Sequence, residues 1–254
     1  MNINEVINFI KCPLKCQHSR NKTPPSYSLT TVYPQACWRA FDYYFRHLAE
    51  GKHVPESRLL SVFIDALSII KLPAEFQERY KRNFIYFSKL YLKRVTKFAD
   101  RLYFRYPISH LASINTTIDG SIDTIAVQTG VDYYYEVHLY HDIVDYKYYQ
   151  SIRDLKLSLI SLALTSDPVF GPGIIDNTNI VIVDVTQEKI LSFPLASVNT
   201  KHFESFAGMI AAAEELDMYY SRNDGDVCSK CEYKKACNFY LNVDAKPGRP
   251  IEYD

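Results

Sequence analysis

Glycine is scarce in this chain: 8 among 254 residues, against 21 tyrosines. Few positions can rest on glycine's conformational freedom, so an aromatic-rich fold with few glycine turns is expected. Net charge is also lacking, because 29 basic residues face 29 acidic ones. That excludes wholesale attraction of a polyanion and leaves any nucleic-acid contact to a local patch. No apolar run approaches the roughly 18 residues that mark a membrane span. The opening stretch MNINEVINFIKCPLK has no basic-then-apolar layout of a secretion signal. Internal repeats and low-complexity segments are missing too. Six cysteines, three of them bunched near the C-terminus, make a poor disulfide framework for a chain this long. A reducing compartment, the cytoplasm, with a metal site is the expectation.

What is present reads as alternating blocks of helix and strand. Apolar positions in EVINFIK (5–11) predict a short helix ended by Pro13, and residues 20–34, with Pro24, Pro25 and Pro34, read as loop. Helices are expected over 35–50, 56–71 and 74–100. RLYFRYPI, TTIDGSIDTIAV and VDYYYEVHLY then carry the β-branched and aromatic signature of strands, with turns expected at Asp119-Gly120 and Thr129-Gly130. A helix over 152–164, a hairpin from 179–185 and 189–195, and an amphipathic helix over 202–222 follow. The order implies one mixed α/β domain over 1–254. It comprises a helical portion (35–100), a sheet core (101–200), and a C-terminal helix with a cysteine cluster (201–240).

That cluster, VCSKCEYKKACNFY, spaces Cys228, Cys231 and Cys237 as C-x2-C-x5-C. Thiolates at C-x2-C spacing converge on one ion, and a tetrahedral site or a cubane needs a fourth ligand. KCPLKC near the start offers Cys12 and Cys16. Cys12, held extended by the following proline, is the better choice. Such a clamp would tie the two chain ends together. Cys37, on a helix, reads as a small core residue. Spacing alone leaves zinc and a [4Fe–4S] cluster both open.

In GSIDTIAVQTGVDYYYEVH, Asp123 and Glu136 fall on neighbouring strands of an expected hairpin. Paired carboxylates suit Mg²⁺ or Mn²⁺, which can polarise a phosphodiester and activate water. Two solvated strand carboxylates fit the spacing as well. Residues 79–105 carry Arg79, Lys81, Arg82, Lys89, Lys93, Arg94, Lys97, Arg101 and Arg105 among Tyr and Phe. This is either a phosphate-and-base contact or a solvated basic face opposite an aromatic core face. KCEYKK is a second basic cluster.

A cysteine in a CPxK-like segment at the start and C-x2-C-x5-C at the end resemble the iron–sulfur-containing RecB-like nucleases of the PD-(D/E)XK superfamily. That group includes the AddB nuclease domain and the CRISPR-associated exonucleases. The resemblance implies a restriction-endonuclease-like mixed sheet flanked by helices. It implies a [4Fe–4S] cluster on Cys12, Cys228, Cys231 and Cys237, with Cys16 outside the pattern. It also implies a metal-dependent DNA nuclease, of exonuclease type, acting on ends or single strands, with Mg²⁺ or Mn²⁺ held by Asp123, Glu136 and the Val137 carbonyl. DNA and a protein partner in a recombination, repair or CRISPR-type assembly are the implied partners, without a membrane.

The chain departs from that pattern in three places. His138 stands where the superfamily has its catalytic lysine, and neutral imidazole does not supply that charge; Lys147 and Lys156 are alternative sources. Phe41 falls where a helix-borne histidine binds metal, leaving His47 as a weak metal ligand and His53 beyond the helix. Gln150 is followed by Asp154 where a tyrosine is expected. The implied alternative is a catalytically inactive, nuclease-like DNA-binding protein or assembly subunit. A zinc-clamped interaction domain is the remaining reading.

Overall fold

The computed structural model describes residues 2, 3, 5, 6, 9, 12–21, 29–113, 116–130, 132–141, 146–170, 173–201, 203–216, 228, 231, 233 and 237. Its helices are α1 (Pro13–Arg20), α2 (Leu29–Ala49), α3 (Glu56–Leu67), α4 (Ala74–Phe98), α5 (Tyr146–Thr165) and α6 (Phe203–Glu215). Five strands, β1 (Arg101–Ser113), β2 (Thr116–Gln128), β3 (Tyr134–His141), β4 (Thr178–Asp184) and β5 (Lys189–Pro194), form one sheet in the order β1-β2-β3-β4-β5. Neighbours are antiparallel except β3 and β4, which are parallel and joined by α5. A parallel pair needs such a crossover, because a tight turn cannot return the chain in the same direction. The expected mixed α/β architecture with a helical N-terminal part is therefore present.

Alternation along the strands sorts side chains to two faces. On β4, Ile180 and Ile182 join one core and Val181 and Val183 the other. The first core gathers Ile3, Val6, Phe9 and Cys16 with α5 and α6. The second gathers α2, α3 and α4 around stacked aromatics. Phe63 and Phe84 lie parallel, 4.1 Å apart, and Phe41 packs between Phe84 and Tyr91. Apolar area buried on both faces is what stabilises a sheet of this kind.

Several boundaries differ from the sequence reading. Pro13 opens α1 rather than only ending a preceding helix, as its fixed φ and missing N–H allow at a first helical position. Pro34 lies inside α2, so residues 29–34 are helical instead of loop. Near a helix start, few intrahelical bonds depend on the lost N–H. Asp119-Gly120 is not a turn: β2 runs straight through it, with Gly120 opposite Ile108. A Cβ there would stand 2.9 Å from Ile3 Cγ2 and 3.3 Å from Leu159 Cδ2, so glycine serves close packing here. Residues 217–222 of the last expected helix lie outside the described residues. No helix among the described residues is long and apolar enough to cross a membrane.

Candidate functional site

Asp123 and Glu136 both reach the sheet face covered by α2 and α4. On β3 this follows from alternation: Val137 and Leu139 pack in the first core, so Glu136, His138 and Tyr140 point the other way. On β2 it follows from a phase reversal. Ile122 and Ile125 both pack in the first core, while Ala126 packs in the second. β1 reverses in step, since Tyr103 and Tyr106 share the first core while Leu102 and Phe104 face the second. Between the pairs Phe104↔Thr124 and Tyr106↔Ile122 lies Arg105, with φ of 49°. A left-handed conformation costs a residue other than glycine about 1–2 kcal/mol, and it persists only where surrounding contacts hold it.

Those contacts are ionic. Arg105 Nη1 donates to Asp123 Oδ1 at 2.9 Å, and Nη2 donates to Asp42 Oδ2 on α2. The other oxygen of Asp123 accepts from the Tyr140 backbone N–H at 2.9 Å, just past the last β2–β3 pair, Thr124↔His138. Glu136 is held separately, its Oε1 accepting from Arg94 Nη2 of α4 at 2.5 Å. Asp123 and Glu136 are 6% and 5% exposed, whereas the Arg105 and Arg94 side chains are 45% and 37% exposed, so these charge-assisted bonds join buried acids to guanidinium groups that still reach solvent.

His138 is fully buried on β3, two residues beyond Glu136. Its Nδ1 lies 3.1 Å from the Tyr91 hydroxyl, and its Nε2 lies 3.2 Å from Glu136 Oε2, without the alignment of a hydrogen bond. Burial pushes the imidazole pKa down, more strongly than the neighbouring Glu136 raises it, so the ring is neutral at pH 7. Burial acts to raise Glu136, but its neighbours His138 and Arg94 outweigh it and hold the carboxyl below its ordinary value. Asp42 goes the other way, raised by burial in spite of Arg105. Tyr91 and Tyr140, buried beside these acids, are both pushed well up. Asp42 Oδ1, Arg94 Nε, Glu136 Oε2 and His138 Nε2 are buried with no hydrogen-bond partner among the described residues.

The remaining expected residues fall as follows. Phe41 is a core residue against Tyr91 and Tyr140. His47 lies in the last turn of α2, its Nδ1 2.8 Å from the Tyr43 carbonyl and its ring against the Tyr43 ring. His53 is exposed. Lys147, Gln150 and Lys156 fall on α5, which packs on the opposite face of the sheet. Arg94 and Arg105, expected among the nucleic-acid contacts, are committed to Glu136 and to the two aspartates.

A divalent ion between Asp123 and Glu136 does not fit this arrangement. Each carboxylate already carries a guanidinium within hydrogen-bond distance, and a dication would stand against both positive charges. Among the described residues no group of three or more His, Cys, Asp or Glu side chains is placed to hold a metal ion. Asp42, Tyr91 and Tyr140 were not identifiable as site residues by motif. The one hint is an acid at Asp42 inside the apolar run AFDYYF of α2.

None of the six cysteines is in a disulfide. Cys12, Cys228, Cys231 and Cys237 are half-buried, and Cys16 and Cys37 are buried. The two chain ends do meet: His18 of α1 stacks on Tyr233, between Cys231 and Cys237, with ring centroids 5.7 Å apart. Lys230, Lys234 and Lys235 of the second basic cluster lie outside the described residues.

No family model matches the chain, and no curated protein matches it. Among solved structures, one described as the crystal structure of SSO0001 is similar over 90% of this chain and 95% of that one, at 13% identity and a TM-score of 0.40.

Proposed function

We propose that this chain is a nucleic-acid-binding protein on a restriction-endonuclease-like sheet, in which arginines close the carboxylate site and cleavage has been lost. The observation that carries this reading is α4. From Arg79 to Ala99 it has no acidic residue, although the chain as a whole is neutral. Arg79, Arg82, Tyr86, Lys89, Lys93 and Lys97 recur every three or four residues and are exposed, so they form one stripe about 27 Å long at 1.5 Å per residue. Lys89 pairs with Glu56 at 3.0 Å, whereas Arg79, Arg82, Lys93 and Lys97 form no ion pair among the described residues. Four cations at helical-turn spacing match a run of phosphates, and Tyr86, 67% exposed, offers a stacking surface for a base.

Fluorescence anisotropy of labelled single-stranded DNA tests this. Affinity is expected to fall with salt at a log–log slope of about −3 for four phosphate contacts, without dependence on divalent ions. Lys93→Glu/Lys97→Glu is expected to abolish the binding. Salt-insensitive binding, or none, contradicts it.

A second reading, a metal-dependent DNA exonuclease, is favoured by Glu136 Oε2 and His138 Nε2, which face each other at 3.2 Å without an aligned hydrogen bond. It requires both guanidinium groups to leave so that Asp123, Glu136 and the Val137 carbonyl can take Mg²⁺ or Mn²⁺. Cleavage of DNA with Mn²⁺, lost in Asp123→Ala, would establish it. Under either reading a [4Fe–4S] cluster on Cys12, Cys228, Cys231 and Cys237, or Zn²⁺ in its place, would brace the two chain ends. The His18–Tyr233 stack supports this role. Iron and sulfide analysis after anaerobic purification separates the cluster from zinc.

A further inference from the structure

We propose that Arg105 is a built-in replacement for a divalent cation, its guanidinium bridging Asp42 and Asp123 where a metal ion would otherwise be needed. Asp42 comes from α2 and Asp123 from β2, far apart in sequence, and the fold brings both carboxylates to one cationic group. Two acids held against one guanidinium, their side chains 18% and 9% exposed, repel each other, and the shared positive charge offsets that repulsion. Arg105 gives one NH₂ to each aspartate, the planar fork doing for two carboxylates what an ion does by coordination. The backbone is shaped around that role. Arg105 is one of two residues other than glycine with positive φ among those described, and both β1 and β2 reverse phase at its position. A cation needed only on the surface would not require either feature.

Removing the guanidinium leaves two oxygen-donor carboxylates on separate elements with nothing between them. That is a donor set for Mn²⁺ or Mg²⁺. Arg105→Gly is the informative variant, because glycine keeps the φ of 49° without strain. The inference rests on reading Asp123 as a site carboxylate and is independent of nucleic-acid binding, so loss of one leaves the other standing.

The experiment is a Mn²⁺ titration followed by the electron paramagnetic resonance signal of the free ion. Wild-type protein is expected to take up no Mn²⁺ that depends on Asp123. Arg105→Gly is expected to take up one equivalent, lost again in Arg105→Gly/Asp123→Asn. If Arg105→Gly is unfolded in the absence of metal, Mn²⁺ is expected to restore its near-ultraviolet circular dichroism. Stoichiometric uptake by wild type that disappears in Asp123→Asn overturns the proposal. So does a folded Arg105→Gly that takes up none, or an unfolded one that Mn²⁺ does not restore.

Discussion

At the scale of single residues, His138 decides what the carboxylate site can do at neutral pH. Its imidazole is buried and neutral, so it adds no positive charge beside Glu136. The sign of the resulting pH dependence is definite. With its folded pKa held below the unfolded value of about 6.5, the unfolded chain binds protons first, and stability is lost as pH falls below that value. Glu136, also depressed, adds a loss in the same direction at lower pH, below about 4.5. Asp42, raised, acts oppositely. Urea midpoints at pH 7 and pH 5, compared between wild type and His138→Gln, isolate the imidazole: the wild-type midpoint is expected to drop, and that of His138→Gln to drop by clearly less. Equal slopes would contradict the buried neutral ring. The sequence placed Asp123, Glu136 and His138 on adjacent strands, and they are adjacent. It did not reveal the arginines that hold the acids, because an ion pair between Asp123 and Arg105 depends on a left-handed residue that no local pattern announces. Asp42 was obscured by its neighbour: motif alignment pointed to Phe41, which is core, while the next residue on the helix reaches the site.

At the scale of elements, period and β-propensity located all five strands and the helices beyond residue 35. Punctuation by glycine and proline was the weaker guide. Gly120 looked like half of a turn and is instead a contact between β2, Ile3 and α5. Gly120→Val is expected to cost about 1–3 kcal/mol through overpacking, read as a lower denaturation midpoint at unchanged m-value. An unaltered midpoint would mean that Ile3 and Leu159 yield freely. Pro34 looked like loop because proline breaks helices in general, yet so near the start of α2 little hydrogen bonding is lost. On the second face of the sheet, the parallel Phe63–Phe84 stack joins α3 to α4. Phe84→Ala is expected to cost about 3–5 kcal/mol, weakening the platform that carries both Arg94 and the basic stripe. A smaller loss would place the anchorage of α4 elsewhere.

At the scale of the whole molecule, α4 stands between two functions of charge. Beneath it Arg94 meets Glu136 beside a neutral imidazole, and Arg105 separately joins Asp42 to Asp123; on its outer side, from Arg79 onward, an acid-free face presents lysine and arginine to solvent. The chain's zero net charge conceals this segregation, which is why composition excluded general polyanion binding while a local patch remained. His18 of α1 and Tyr233 add a contact between the two chain ends. Tyr233→Ala is expected to lower the unfolding midpoint by loosening the contact with His18, and no change would remove that contact from the account. The central claim, binding without cleavage, is tested most directly on one end-labelled single-stranded DNA incubated with Mn²⁺ and run on native and denaturing gels in parallel. The account predicts a shifted band on the first and full-length DNA on the second; an unshifted band, or shortened DNA, would contradict it.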